Sequence, residues 1–330
     1  MNFIIGNRGA GKTFGGLKYG LEQFIKGREK GKCEQFVYVR RYETELEKLT
    51  KSRGGRLFRA HEKFFPGHDL KAESNVLKCD GDVCGYAIPL STASKQKSDS
   101  FPDVSLILFD EFIIDNSGTY HYLKDEVRLF LDLYETIARP GSEHKRVVVF
   151  FLSNAVSITN PYFDFYHLDK PKDSDIQRFG AARGILVQNV MSQAMVEAKA
   201  AHEFYQINRE TEYFDYAVKN EWLMDNEDFI EHKSQRAQYY LTLRYMDTWL
   251  GIWHDYLQGI FYISLDVDMQ FKHVYSATTD DHKPNTMLLK WGQTQTWLRS
   301  LQRAYDNGCV RYESMKLKNW FRDIMRMSRG

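Results

Sequence analysis

A glycine-rich segment near the start of the chain has the residue types and spacing of a phosphate-binding loop. Its sequence fits G-x-x-x-x-G-K-[ST] and runs Gly6-Asn7-Arg8-Gly9-Ala10-Gly11-Lys12-Thr13. In such a loop the glycines let backbone N–H groups converge on an anion, the lysine reaches the β- and γ-phosphates, and the hydroxyl ligates Mg²⁺. We therefore expect a nucleoside triphosphate with Mg²⁺ to be bound by Gly6, Arg8, Gly9, Ala10, Gly11, Lys12 and Thr13. The side chain of Arg8 could equally be solvated.

The flanking residues predict the elements that would hold this loop. Residues 1–5 form a short apolar run that indicates a buried strand, and residues 13–25 carry apolar side chains at helical spacing. This context favours a functional loop, because a glycine-rich turn without a ligand gives no packing reason for a lysine next to a threonine.

An acidic pair follows a second apolar strand, residues 106–109. Asp110 and Glu111 emerge at its carboxyl end, where ligands of open α/β sheets bind. Asp110 is expected to support Mg²⁺, partly through water, and Glu111 is expected to orient and deprotonate the attacking water. Alone, the pattern would also fit an ordinary acidic turn.

A third predicted strand, residues 146–152, ends in Ser153 and Asn154. Asn154 could hydrogen-bond the γ-phosphate or the lytic water, and a simple turn cap is the alternative. A further strand at residues 35–40 lies between the phosphate loop and the acidic pair. An inserted strand and a glutamate beside the Mg²⁺ aspartate are typical of the P-loop branch (ASCE) that builds ring and filament motors, and not of kinases or GTP switches.

The composition predicts an intracellular globular protein. A length of 330 residues suggests two or three domains, and the net charge of +1 gives no overall attraction to nucleic acid. No stretch approaches the ~20 apolar residues of a membrane span, and no signal peptide precedes the loop. Aromatic residues make up 15% of the chain, and we expect most of them in cores or subunit contacts. Reduced thiols are expected at Cys33, Cys79, Cys84 and Cys309.

Two further segments of the first half carry basic residues of interest. Residues 91–102 read as a long polar loop in which Lys95 and Lys97 could contact a DNA backbone, although an ordinary surface loop fits as well. An amphipathic helix is predicted over residues 122–139 and ends before Pro140. Arg139 at its end could reach a neighbouring subunit's nucleotide, or it could simply suit the helix dipole. A capping box formed by Thr44 and Glu47 predicts another short helix.

The second half of the chain has a different pattern. A last strand at residues 184–190 and a helix over residues 192–208, with Ser192 as N-cap, lead into a polar, aromatic connector. A three-stranded meander, a fourth strand and two helices then suggest a ribonuclease-H-like domain. We expect an α/β protein with a mostly parallel ATPase sheet at 1–190, a small helical linker at 191–227 and a degenerate nuclease domain at 228–330.

Nuclease activity would require several carboxylates that converge on two metal ions about 4 Å apart. The middle of the first meander strand offers Thr242 and Arg244 instead of acids, so inert turn aspartates are the favoured interpretation of Asp247, Asp255, Asp266, Asp268, Asp280 and Asp281. On the last helix, Lys316 and Arg322 belong to a basic face that could bind DNA or RNA phosphates, or that could be a solvated helix end.

Several segments resemble the DNA-packaging ATPases (encapsidation proteins) of small phi-29-type tailed phages. The resemblance covers most of the chain and is carried by the phosphate loop, by Phe36-Val37-Tyr38-Val39-Arg40-Arg41-Tyr42, Phe109-Asp110-Glu111-Phe112-Ile113, Leu152-Ser153-Asn154-Ala155-Val156, Asn160-Pro161-Tyr162-Phe163, Leu250-Gly251-Ile252-Trp253 and residues 275–281.

This resemblance implies an ATP-driven motor in the host cytoplasm that acts transiently at the portal vertex of a procapsid. It implies a homo-oligomeric ring, a pentamer, that moves double-stranded DNA and engages the portal connector and a structural packaging RNA. It also implies that Arg139 acts in trans, with Arg146 as the second candidate. The chain departs from the family in lacking an N-terminal extension and in having Glu43 where a basic residue is expected.

Two other functions fit the sequence less well. One is a terminase-like packaging enzyme whose second domain cleaves DNA. The other is a nucleotide-gated DNA-binding assembly factor without motor activity.

Overall fold

The computed structural model describes residues 1–50, 56–114, 121–139, 146–168, 176–179, 184–211, 214, 228–271, 274–289 and 296–327, without the side chains of residues 97, 98, 179 and 326. The chain forms two compact units, Met1–Leu223 and Met224–Gly330. The residues proposed as a helical linker therefore group with the first unit as far as Leu223. No helix in the described ranges is long and apolar enough to cross a membrane.

The first unit is built on a nine-stranded sheet with the order β3-β4-β5-β2-β6-β7-β1-β9-β8. Its strands are β1 Asn2–Gly6, β2 Gln35–Arg40, β3 Leu70–Glu73, β4 Val76–Cys79, β5 Asp82–Pro89, β6 Val104–Asp110, β7 Val148–Asn154, β8 Ile176–Phe179 and β9 Ile185–Val190.

The six central strands of this sheet are parallel, in the order β5-β2-β6-β7-β1-β9. Antiparallel strands occupy both edges. Parallel strands are covered by helices on both faces, which explains why β2, β6 and β7 are continuous apolar runs. This confirms the mostly parallel sheet predicted from the sequence. A hairpin turn at Asp80 and Gly81 joins β4 to β5.

Six α-helices accompany this sheet in the described residues, together with 3-10 helices at Glu62–Phe64 and Leu90–Ser98. They are α1 Lys12–Glu29, α2 Glu43–Thr50, α3 Glu126–Ile137, α4 Pro161–Tyr166, α5 Gln193–Ala201 and α6 Glu203–Ile207. α1 packs on one face of the sheet against Leu108 and Leu152, and α3 and α4 pack on the other.

Three local predictions were wrong. The segment predicted as a polar loop at 91–102 forms the second 3-10 helix as far as Ser98. Helix α2 begins at Glu43, because Glu45 accepts the backbone N–H of Tyr42, and the predicted Thr44–Glu47 capping box does not form its start. The predicted helix over 192–208 is divided at His202 into α5 and α6, although Ser192 does cap α5 through the N–H of Met195.

A cluster of buried aromatic rings lies between the sheet and helices α3 and α4. Its rings are in edge or stacked contact, with centroids 4.4 Å apart for Phe3 and Phe151 and 4.8 Å apart for Phe130 and Phe151. We call it the aromatic cluster, and it consists of Phe3, Phe109, Phe112, Phe130, Phe151, Tyr162 and Phe163. Much of the aromatic content of the chain is therefore core, as expected.

The second unit contains a six-stranded sheet of order β14-β13-β10-β11-β12-β15. Its elements are β10 Gln238–Tyr245, β11 Thr248–Asp255, β12 Ile260–Ser264, β13 Val274–Ser276, β14 Met287–Leu288, α7 Thr296–Asp306, β15 Val310–Tyr312 and α8 Met315–Met327. Strands β10 to β12 form the predicted antiparallel meander, and β13 lies parallel to β10. A meander followed by parallel strands beside its first strand is the ribonuclease-H-like arrangement predicted from the sequence.

A buried ion pair connects the helix α3 to the strand ends that carry the acidic pair. Arg41 follows β2 and binds both carboxylate oxygens of Glu126, at 2.7 and 2.8 Å. The same guanidinium donates to the backbone carbonyls of Glu111 and Phe112, at 3.0 and 2.8 Å. Glu126 also accepts the Tyr162 hydroxyl. Because both charges are buried and fully bonded, this pair fixes the backbone just after Asp110.

Removing one member of this pair should destabilise the first unit strongly. We expect Arg41→Met to lower the free energy of unfolding by about 3–5 kcal/mol, because it leaves the Glu126 carboxylate buried without its cation. The double variant Arg41→Met/Glu126→Leu should lose less than the sum of the two single changes. Urea unfolding followed by circular dichroism measures this. Lys26→Met breaks an exposed pair with Glu22 and serves as the control, with an expected loss below about 1 kcal/mol. An Arg41→Met midpoint equal to that of Lys26→Met would contradict the assignment.

Candidate nucleotide-binding and catalytic site

The phosphate loop connects the end of β1 to the start of α1. Gly9 and Gly11 have φ angles of 88° and 79°, which a side chain disfavours. A Cβ on Gly6 would lie 2.0 Å from the carbonyl oxygen of Val190 in the neighbouring strand β9, so only glycine fits at that position. The glycine spacing therefore has local steric causes, and the loop opens at the carboxyl end of the sheet, as expected.

Lys12 is the cation at the centre of this loop. Its ammonium donates to the carbonyls of Gly6 and Asn7, at 3.0 and 2.9 Å, and to Oδ1 of Asn154, at 3.2 Å. Burial lowers the pKa of Lys12 to about 8, an effect that Asp110 opposes and Lys199 reinforces. A polyphosphate would supply the negative charge that favours the protonated ammonium, so the environment of Lys12 fits such a ligand.

Thr13 and Asp110 form the oxygen-rich part of the same site. The Thr13 hydroxyl donates to Oδ1 of Asp110 at 2.9 Å, and the Tyr38 hydroxyl donates to Oδ2 at 2.8 Å. Burial and the charge of Asp110 raise the pKa of Tyr38, which keeps it a hydrogen-bond donor. A hydroxyl and a carboxylate are the oxygen ligands that suit Mg²⁺ beside phosphates, so these residues fit the ion.

Glu111 is held by an arginine that the sequence analysis did not assign to the site. Arg40, at the end of β2, donates to Glu111 at 2.7 Å, to Asp110 at 3.1 Å and to Glu45 at 2.9 Å. The Glu111 side chain is 55% exposed, whereas that of Asp110 is 6% exposed. Glu111 also has a φ of 56°, a left-handed conformation that aims its side chain away from the strand direction.

The tip of β7 completes the site. Asn154 lies opposite Gly6 in the parallel register and accepts from Lys12. Ser153 is occupied in a structural contact, because its hydroxyl bonds both the N–H and the carbonyl of Ile113. A cavity of about 240 Å³ is lined by Gly9, Gly11, Lys12, Thr13, Phe14, Asp110, Glu111, Ser153 and Asn154. The structure therefore brings together the loop, the acidic pair and Asn154.

The two candidate trans arginines lie away from this cavity. Helix α3 starts beside the acidic pair at Glu126 and ends near the beginning of β7, where Tyr134 donates to the carbonyl of Val147. Arg139 is exposed just beyond that end. Arg146 is exposed at the start of β7, close to Gly184 and the amino terminus. Neither is part of the site in its own subunit.

The candidate nucleic-acid residues belong to two elements, one in each unit. Lys95 is exposed in the second 3-10 helix, and Lys97 lies in the same helix with its side chain outside the described part of the chain. In the second unit, Lys316 packs over the ring of Trp320 with its ammonium 4.5 Å from the ring centroid. Arg322 is half-buried on the same helix. A role for these four residues in binding DNA or RNA stays a prediction.

The aspartates of the second unit are engaged in local contacts. Asp255 accepts the N–H groups of Leu257 and Gln258 in the turn after β11, and Asp266 pairs with Lys233 at 2.6 Å. Asp281 accepts the Thr278 hydroxyl. Within the described parts of the second unit, no three His, Cys, Asp or Glu side chains converge as metal ligands. These contacts explain the aspartates without a nuclease site.

Three residues of the site region were missed because their contacts are distant in sequence. Arg40 and Tyr38 reach the acidic pair only because β2 and β6 are parallel neighbours. Lys199, on α5, donates to the carbonyl of Arg8 in the phosphate loop. The polar side chains of Tyr38 and Arg40 in the otherwise apolar strand β2 could have indicated their contact with the acidic pair. Nothing in the local pattern of α5 indicated the contact of Lys199.

Comparison with known proteins gives one consistent result. The family model for the podovirus DNA encapsidation protein (Gp16) matches residues 1–329. The DNA packaging protein of Bacillus phage phi29 is 34% identical over 329 residues, which cover 100% of this chain and 94% of that protein.

Two solved structures from the same phage extend this result. The chain superposes on the bacteriophage Phi-29 viral genome packaging motor assembly with a TM-score of 0.75 and 33% identity, covering 99% of this chain and 95% of that one. The crystal structure of the N-terminal domain of the phi29 DNA packaging ATPase gives a TM-score of 0.50 and 37% identity, covering 58% of this chain and 90% of that one. The protein therefore belongs to the podovirus DNA encapsidation protein (Gp16) family.

Proposed function

We propose that the protein is an ATP-hydrolysing motor subunit that translocates double-stranded viral DNA into a preformed procapsid. The observation that carries this proposal is the single cavity shared by Lys12, Thr13, Asp110, Glu111 and Asn154. The DNA substrate and the procapsid are inferred from family membership, since the phi29 relative is a DNA packaging protein. We further propose a homo-oligomeric ring, a pentamer, that contacts the portal connector and a packaging RNA in the host cytoplasm.

The chemistry is phosphoryl transfer to water. Gly6, Arg8, Gly9, Ala10 and Gly11 present the loop backbone to the phosphates, and Lys12 contacts the β- and γ-phosphates. Thr13 and Asp110 would hold Mg²⁺, which supplies charge neutralisation on those phosphates. Asn154 can bond the γ-phosphate or the attacking water.

Glu111 is the proposed general base. Its carboxylate is paired with Arg40, and release from that arginine would leave it able to take a proton from water. The exposure of Glu111 permits this movement, whereas Asp110 is buried and held by Thr13 and Tyr38. Asp110 thus suits a fixed role at the metal ion, and Glu111 suits a role that requires movement.

Arg139 is the proposed trans arginine, and Arg146 is the second candidate. Each is exposed and lies outside the cavity of its own subunit, so each could act only on a neighbour's nucleotide. An arginine brought to the γ-phosphate neutralises charge that develops in the transition state. Arg139 is favoured because it ends α3, whose other end is anchored beside Glu111.

The two competing functions are less well supported. A terminase-like nuclease would need a carboxylate cluster, and the described aspartates of the second unit bond to turns and to Lys233 instead. A nucleotide-gated assembly factor would need no general base, and it would bind ATP without DNA-stimulated phosphate release. A rise in phosphate release on addition of double-stranded DNA would therefore indicate a motor and not an assembly factor.

Glu111→Gln should abolish turnover without abolishing binding. The amide keeps the size of the side chain but cannot accept the proton from water, so kcat should fall by about 10²–10⁴ while the ATP dissociation constant stays within about threefold. Phosphate release and binding of a fluorescent ATP analogue measure the two quantities. Glu22→Gln is the control, because Glu22 forms helix-surface ion pairs with Lys18 and Lys26 on α1, away from the cavity. Full ATPase activity of Glu111→Gln would refute its role.

Arg139→Ala subunits should lower the activity of a mixed ring by more than their fraction of its subunits. In mixtures with wild-type protein, DNA-stimulated ATPase activity should fall more steeply than the fraction of variant, because each missing arginine disables a neighbouring site in a coordinated ring. Arg128→Ala, an exposed change on the same helix, should leave activity unchanged at every ratio. A strictly proportional decline for Arg139→Ala would argue against action in trans.

Purified protein should not cut DNA. Incubation with supercoiled plasmid and Mn²⁺ should give no nicked or linear product on a gel, because the second unit has no convergent carboxylates in its described part. A nuclease of known activity run in parallel verifies the conditions. Nicking that disappears in Asp281→Asn would instead favour the terminase-like alternative.

A further inference from the structure

Lys199 brings a buried positive charge to the phosphate loop from outside it. Helix α5 begins immediately after β9, the neighbour of β1 on the side away from β7. From this helix the Lys199 ammonium donates to the carbonyl of Arg8, although the residue is only 9% exposed. Burial of a lysine is costly because its charge loses hydration, and the bond to the Arg8 carbonyl offsets part of that cost.

The same helix packs directly on the loop backbone. A Cβ placed on Gly9 would lie 3.7 Å from Cε of Lys199 and 3.7 Å from the sulfur of Met195. The apolar stem of Lys199 and the thioether therefore cover Gly9, while the ammonium holds the residue before it. Helix α5 thus supports the phosphate loop at Arg8 and Gly9.

Three cationic residues, one of them the exposed Arg8, are placed at this loop. Arg8 and Lys12 belong to the loop, and Lys199 is close enough that its charge contributes to the lowered pKa of Lys12. Burial and then Arg8 lower the pKa of Lys199 itself. Mutually repelling cations that packing holds together favour the binding of an anion, because a polyphosphate relieves the repulsion.

We propose that Lys199 is a positioning residue for the nucleotide, contributed by the helix that follows the ATPase sheet. The proposal rests on ATP binding at the phosphate loop. Lys199 does not line the cavity that contains Glu111 and Asn154, so its effect falls on binding of the polyphosphate and not on the hydrolytic step. Because it lies on the side of the loop away from β7 and Asn154, it should act equally on ATP and ADP.

The test compares Lys199→Met with Lys199→Arg. The methionine keeps the stem against Gly9 but removes charge and donor, so the dissociation constants of ATP and ADP, and the KM for ATP, should all rise about tenfold. The value of kcat at saturating ATP should stay within about twofold, which is the pattern of lost uniform binding. Lys199→Arg should keep both constants within about threefold of wild type. Lys26→Met, an exposed change at the other end of α1, should have no effect.

Several results would overturn the proposal. They are an unchanged dissociation constant in Lys199→Met, equal weakening by Met and Arg, or a loss of kcat with unchanged KM. Thermal unfolding without nucleotide checks that the variants fold, and Lys199→Gln replaces Lys199→Met if the latter does not. Wild-type protein that binds no ATP would refute the proposed function itself, whereas normal wild-type binding with an unaffected Lys199→Met refutes only this inference.

Discussion

Two consecutive arginines at the end of β2 hold the strand that carries the acidic pair from opposite sides. Alternation along a strand directs neighbouring side chains to opposite faces of the sheet. Arg40 therefore reaches the carboxylates of Asp110 and Glu111, while Arg41 reaches the carbonyls of Glu111 and Phe112 and the buried Glu126. The position of the candidate base thus depends on β2 as much as on its own strand.

This arrangement connects the site to the periphery of the subunit through one short helix. Glu126 is the first residue of α3 and is fixed by Arg41, Tyr162 and the N–H of Leu123. The 12 residues of α3 span about 18 Å, at ~1.5 Å per residue, and lead to Arg139. A displacement of the Glu111 backbone would therefore be transmitted to the subunit surface by a rigid element anchored at its start.

The sequence predicted the parts of the site whose signals are local, and missed those that depend on long-range pairing. The phosphate loop, the Asp110–Glu111 pair and the central strands each have a signal within about ten residues, and the described geometry brings them together. The contact of Arg40 was indicated only by the polar residues of β2, and that of Lys199 had no local signal, because their partners are 70 and 191 positions away. The edge strands β3 and β4 were missed, since short alternating strands are difficult to distinguish from loops. Residues 91–98 are mostly polar, and polar composition alone does not distinguish a 3-10 helix from a loop.

The aromatic cluster beneath the site has a mechanical consequence. Phe3, Phe112 and Phe151 are in mutual ring contact, and closely packed protein interiors have low compressibility. A frame packed in this way resists deformation when a load is applied to it. A stiff layer under β1, β6 and β7 would keep the strand ends that carry the phosphate loop, Asp110 and Asn154 in register under such a load.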